Sequence, residues 1–212
     1  MLTDDEGVVL RLADVGEKNR IATLYLREGG RVAAVARGAR GSSRRFGGGL
    51  DHFVRARFTF ARTRTGLPVL NELSIVEPYE GLRGDVLAYA AASFVTELVL
   101  ETTAEHDPSP RAYDWLVTCL GQTCAAPFDT VLAFQLGWFQ CLGVLPPLDP
   151  EGLREAGFPL LSAEERDGAN ALVAFRSVSP DSRRAVGRLT KALRERVLTR
   201  PMKSEAFLRE LL

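Results

Sequence analysis

The sequence predicts an α+β protein: an N-terminal five-stranded β-barrel of the OB type over residues 1–78, followed by an α-helical domain over 79–212. Three observations predict it. The first 76 residues hold five short strand-like runs, with no room for a crossover helix between most of them. After Glu77-Pro78 the composition turns to Ala, Leu and Val at helical spacing. Charge divides at the same place. Residues 1–75 carry 13 Lys+Arg against 8 Asp+Glu and the remainder 14 against 19, although the whole chain is neutral. An SH3-like barrel is the alternative reading of the same five runs.

Taken in order, Gly7–Leu12 is the first run, and Asn19–Leu26 follows the turn-like ADVGEKN. A Glu-Gly-Gly turn leads into Arg31–Ala36, which makes the second and third strands a hairpin. His52–Arg62 alternates Phe53, Arg55, Arg57 and Thr59 with Val54, Ala56, Phe58 and Phe60, and Pro68–Val76 completes the set. Leu82–Glu105 is then expected as one long helix, stopped by HDPSP. Pro110 suits the start of a second helix, Arg111–Cys124. A third, Phe128–Leu142, is apolar nearly all round and belongs at the centre of a bundle. Beyond the loop GVLPPLDPEG the spacing predicts a short helix at Glu151–Ala156 and a strand at Ala171–Ser177. A basic helix capped by Ser179 or Asp181 runs to Leu198, and a last short helix is capped by Ser204.

The stretch Arg31–Arg64 concentrates the chemistry. It holds nine arginines and one acid, Asp51, around the loop ARGSSRRFGGG. Strands carrying Arg and joined by a glycine-rich basic loop suit a polyanion whose backbone is gripped with little sequence preference. The candidate nucleic-acid contacts are Arg31, Arg37, Arg40, Arg44, Arg45, Arg55 and Arg57, with Phe46 as a ring that stacks on a base. Phe58 and Phe60 alternate as core residues, and Tyr25 fits either role.

The sequence carries no motif of the common catalytic or nucleotide-binding chemistries. Gly41 and Gly47–Gly49 are not followed by Lys-Ser/Thr and open no helix, so the loop is not a nucleotide P-loop. His52 and His106 have no nucleophile at triad spacing. Asp4-Asp5 and Glu164-Glu165 are adjacent in sequence and do not converge on one site. Cys119, Cys124 and Cys141 have no metal-ligand spacing and read as buried thiols. No residue pattern points to an enzyme or a cofactor. No apolar run reaches the ~20 residues of a membrane span, and the acidic start MLTDDEGVVL is unlike a secretory signal. A cytoplasmic protein with no membrane partner is expected.

These segments together resemble the RecO family, the bacterial recombination mediators of the RecF pathway. GVVLRLADVGEKNRIATLYLREGGRVAAVARGAR (7–40) resembles the family's opening strands with their VARGAR signature. Arg44-Arg45-Phe46 to Leu50 is similar to the basic loop that follows. EPYEGLR (77–83) resembles the junction into the helical domain, LGWFQCLGVLPPLD (136–149) a family helix and its exit, and KSEAFLREL (203–211) the C-terminal signature. Many members follow the Leu-Asp with Cys-x-x-Cys pairs that hold zinc. Here that stretch is LDPEGLREAG, with no cysteine after Cys141, whereas a structural zinc needs about four ligands. A zinc-less subdomain at about 147–180, held by apolar packing, is expected.

The resemblance implies an OB barrel, a helical domain and no catalysis. It implies binding of single- and double-stranded DNA, annealing of complementary strands, and help in loading recombinase onto DNA coated by single-strand-binding protein. The implied partners are RecR and the acidic tail of the coating protein. An apolar groove near Trp138 or Phe139, rimmed by arginines such as Arg188, would suit that tail. Two alternatives remain open at this point: an adaptor acting mainly through protein contacts, and an RNA-binding OB protein, since the same cations and aromatics serve RNA.

Overall fold

In β3 (Gly30–Ala36) every second residue is buried and those between are half-buried. That is the two-residue period of a strand with one face on a core. The computed structural model describes residues 4–41, 46, 49–61 and 66–211. In it β1 (Asp4–Val15), β2 (Asn19–Leu26), β3, β4 (Arg55–Ala61) and β5 (Val69–Glu77) close in the order β1-β2-β3-β5-β4. Neighbours are antiparallel except β3 and β5, which meet in parallel through Val35–Val69 and Ala36–Leu70. This closure is the OB fold, and the SH3-like alternative falls away. The barrel is filled by Val9, Leu24, Phe58, Phe60 and Leu70.

Phe46 fills it too. It is only 3% exposed and packs with that same cluster. Its carbonyl accepts the N–H of Gly49 at 2.7 Å, and Gly49 lies against Leu73 and Ile75 of β5. Here a Phe in a polar-looking loop reaches inward, because the β3–β5 register among the described residues ends at Ala36–Leu70 and the apolar side chains of Leu73 and Ile75 beyond it are left to cover. The expectation of a base-stacking Phe46 is corrected: its ring is part of the core.

The helical domain runs through α1 (Gly81–Gly84), α2 (Val86–Thr102), α3 (Pro110–Gln122), α4 (Pro127–Cys141), α5 (Pro150–Glu155), α6 (Ala163–Val173), α7 (Pro180–Val197) and α8 (Lys203–Glu210). As expected, α4 is central, with Val131, Phe134, Leu136, Trp138 and Phe139 buried. Its Gly137 lets the Trp115 indole of α3 approach so closely that a Cβ there would lie 2.3 Å from Cε2.

Three expectations change. The single helix over 82–105 breaks at Asp85, which takes an extended conformation and caps α2 by accepting the N–H groups of Leu87 and Ala88. The strand expected at Ala171–Ser177 is instead the end of α6 and its exit. This helix starts in a capping box in which Ser162 and Glu165 each accept the other's backbone N–H. Finally, Ser204 does not cap α8. The carboxylate of Glu97 on α2 does so from outside, accepting the N–H groups of Lys203 at 3.0 Å and Ser204 at 2.8 Å.

One side of the barrel is docked on the bundle. Val8, Leu10, Tyr25 and Phe53 point out of the barrel into the helical core. Arg55 reaches Glu6 at 2.6 Å, and the Tyr113 hydroxyl donates to the same carboxylate at 3.1 Å. His106 donates its N–H to the Arg31 carbonyl at 3.0 Å. Gly30, at φ +66°, lies so near the Asp107 backbone that a Cβ would come within 2.6 Å. Phe53, Tyr79 and His106 all take positive φ at this junction, a backbone cost that docking must offset.

Two predictions follow from this packing. Phe46→Ala should lower stability by about 3–5 kcal/mol, as for other buried aromatics, read as a shift in the urea midpoint. Glu6 combines two opposing influences. Partial burial raises its pKa, but the hydrogen bonds from Arg55 and Tyr113 prevail and hold it below the ordinary 4.5. Its stabilising effect is therefore complete above pH 4.5 and disappears as pH falls through the lower folded-state value. Wild type should exceed Glu6→Gln by about 1.5–3 kcal/mol at pH 7, with the gap closing in denaturation curves taken below pH 4.5.

Candidate nucleic-acid interface

Register brings three connections to one rim. Asp14 pairs with Arg20, Arg20 with Ala36, Ala36 with Leu70 and Leu70 with Phe60. Just beyond that row lie the turn 16–18, the start of the connection after β3, and residues 66–68, which lead into β5. Gly38 donates its N–H to the Asn19 side chain at 3.0 Å, and Arg40 to the Lys18 carbonyl at 3.2 Å. The chain leaving β3 is thus laid along the first turn.

This rim gathers Lys18, Arg20, Arg37 and Arg40. Asp14 holds two of them, Arg20 at 2.9 Å and Arg40 at 3.3 Å, and Glu17 adds a second exposed acid in the turn. Arg40 also donates to the Gly16 carbonyl at 3.0 Å. Arg37 is exposed and forms no ion pair with another described residue. A carboxylate shared between two guanidiniums orients both and leaves them donors to spare, which suits a row of phosphate oxygens. Lys18 and Arg20 escaped the sequence reading because they precede the Arg-rich stretch. The hairpin register, with Arg20 opposite Ala36, is the signal that places them there.

The other predicted arginines divide. Arg31 and Arg55 face the helical domain: Arg55 is spent on Glu6, and the Arg31 Nε is buried with no hydrogen-bond partner among the described residues. The structure sets both against their reading as nucleic-acid contacts, because docking of the barrel places them on the bundle side. Arg57 is exposed on the outer face of β4, opposite Glu6 and Ser74 and away from the rim row. Arg44 and Arg45 lie outside the described residues. Tyr25 is buried, its ring 5.9 Å from Trp138 and 6.5 Å from Tyr113.

A second candidate site lies in the helical domain. Trp138 and Phe139 are fully buried and line no groove, since the bundle closes around the C-terminal half of α4. Arg188 is exposed and pairs with Glu165 at 3.6 Å. A groove of about 810 Å³ flanks the N-terminal half of α4 between α7 and α8. Phe94, Phe128, Val131, Leu132 and Leu208 make its apolar walls, and five cations against two carboxylates, Asp129 and Glu205, surround them. Arg194 is its buried member, bound to Gln135 and Glu205 beneath an open cleft. Burial pulls its pKa below the ordinary guanidinium value, and Glu205 works against that.

The family model described as recombination protein O N terminal matches residues 1–79, and recombination protein O C terminal matches 83–169. The chain belongs to the recombination protein O family. It is 42% identical over 147 residues to the DNA repair protein RecO of Anaeromyxobacter dehalogenans (strain 2CP-C), covering 68% of this chain and 58% of that protein. Against the DNA repair protein RecO of Bacillus subtilis (strain 168) it is 33% identical over 151 residues, 70% of this chain and 59% of that one. The corresponding protein of Myxococcus xanthus (strain DK1622) is 37% identical over 149 residues, 69% and 61%. The matches therefore span about three fifths of the length of these relatives.

The zinc that many family members hold does not fit the residues present. No cysteine follows Cys141, and among the described residues no group of three or more His, Cys, Asp or Glu is placed to hold a metal. In the 147–180 segment, Leu153, Leu161, Ala169 and Leu172 are buried in the helical core. Arg196 ties the segment to α7: its guanidinium lies 3.8 Å from the Phe158 ring centroid and donates to the carbonyls of Ala156 and Gly157. Among the described residues no helix is long and apolar enough to cross a membrane.

Proposed function

We propose that this chain acts in DNA repair and recombination by binding single- and double-stranded DNA at the barrel rim, annealing complementary strands, and helping recombinase load onto DNA coated by single-strand-binding protein. The observation that carries the reading is the convergence of Lys18, Arg20, Arg37 and Arg40 on one rim that the helical domain leaves uncovered. Arginines on phosphates release counterions and lower the repulsion between two strands, so annealing by this route needs no nucleotide hydrolysis. The names of the relatives, all DNA repair proteins, agree with it. On this reading the chain is not an enzyme, and RecR is a partner implied by the family.

A second activity is favoured by the apolar groove. Its cationic surround and ring-sized walls suit an acidic peptide ending in an aromatic residue. The tail of single-strand-binding protein is the proposed occupant, which would bring coated DNA to the rim. The adaptor reading is thus a complement to DNA binding. An RNA ligand is distinguished by competition between DNA and RNA strands of one sequence.

Three outcomes are expected. Replacing Lys18, Arg20, Arg37 and Arg40 by Ala should weaken single-strand binding and flatten the log K against log salt slope by about 3, at roughly 0.7 for each lost phosphate contact. Fluorescence anisotropy at several salt concentrations measures this, and unchanged affinity would sink the rim assignment. Asp14→Asn, which frees Arg20 and Arg40, should raise affinity a few-fold in the same assay. Annealing of complementary oligonucleotides coated with the cognate single-strand-binding protein should be faster with the wild-type chain than without it.

A further inference from the structure

Two guanidiniums in the groove converge on one carboxylate oxygen. Arg194 donates to Oε1 of Glu205 at 2.9 Å, and Arg209 donates to the same atom at 2.6 Å. The two arginines are held very differently. Arg194 is buried, donates also to Gln135, and lies 5.3 Å from the Phe94 ring centroid. Arg209 has a side chain 62% exposed and, among the described residues, pairs only with Glu205, four residues earlier on the same helix. An exposed pair of that kind is weak and readily exchanged.

We propose that Glu205 is a built-in occupant of the groove's anion site, and that a peptide's terminal carboxylate docks by taking Arg209 from it while Glu205 stays on Arg194. The inference rests on the reading of the groove as a site for an acidic peptide. The exchange trades one ion pair for another, with no charge left buried and unpaired. It also leaves α8 in place, since the N-terminus of that helix rests on Glu97 and Leu208 is buried against the bundle. A second cleft of about 440 Å³ shares Lys191, Arg194, Glu205 and Arg209 with the groove. The exchange point is therefore where the two meet, with Lys191 beside it for a second carboxylate. Because the chain's own acid competes, Arg209 holds a peptide carboxylate less tightly than it would without Glu205, and a peptide end without a carboxylate gains nothing from it. Glu205 thus tempers the affinity for acidic termini and leaves that for neutral ends unchanged.

The test is calorimetry on the full chain with a synthetic peptide, Asp-Asp-Asp-Leu-Phe, as the free acid and as the C-terminal amide. Glu205→Gln keeps an oxygen for Arg194 and removes the competing charge. It should bind the free acid about two- to fivefold tighter than wild type, the equivalent of one exposed ion pair, and the amide no tighter. Arg209→Gln, which leaves Glu205 on Arg194, should weaken binding of the free acid and not of the amide. Hydrogen exchange over 203–210 should match wild type in both variants. Equal or weaker binding of the acid by Glu205→Gln, an equal gain with the amide, or an unchanged acid affinity in Arg209→Gln would each overturn the exchange. If wild type and both variants bind neither peptide, the groove reading itself fails and takes the exchange with it. Binding by wild type without the variant pattern removes the exchange alone.

Discussion

The structure depends on β1 serving two cores at once. Val9 enters the barrel while Val8 and Leu10, pointing the other way, are buried in the helical domain. A strand with both faces buried cannot shift by one residue without exchanging its partners, and the irregularity between Val9 and Arg11 adjusts the strand where it also pairs with β2. Barrel and bundle are thereby locked in one orientation. The Glu6–Arg55–Tyr113 contacts and the approach of Gly30 to Asp107 reinforce it with groups whose geometry is narrow.

That orientation selects which cations face solvent. The end of β2 at the 27–29 turn lies against the bundle, where Arg27 meets Asp114 at 3.1 Å. The opposite end of β2, with the turn 16–18 and the chain leaving β3, stays free. Lys18, Arg37 and Arg40 at that rim therefore stay exposed, although arginines occur all along the sequence. Those on the bundle side serve architecture instead, Arg55 most plainly. An acid retained at the rim, Asp14, keeps two guanidiniums in a defined spacing and limits their mutual repulsion.

The helical domain shows the same economy of charge. Arg194, Arg196 and Arg200 lie on or just beyond the last turn of α7, yet each has a distinct task. Arg194 fastens α8 through Glu205, Arg196 fastens the 147–180 segment through Phe158 and two carbonyls, and Arg200 pairs with Glu101 of α2 at 2.6 Å. Guanidinium forks can satisfy several acceptors at once. Here they tie together a region whose sequence carries none of the thiolates that a metal would need.

Local signals determined much of this protein. Alternation in Asn19–Leu26 and Arg31–Ala36 specified strands to within a residue, and the apolar girth of Phe128–Leu142 specified a buried helix. The capping box at Ser162–Glu165 is equally local and marks the start of α6, against the β-like run ALVAF. What tertiary structure alone decided is where long side chains point. Phe46 looks like a surface ring in a polar loop, and Trp138 like a groove wall, until the apolar β5 side chains and the closed bundle claim them. Arg31 and Arg37 are equivalent in composition, yet one turns toward the bundle and the other to solvent. Pattern reports the period of an element, but burial depends on what packs against each face, and that partner lies far away along the chain.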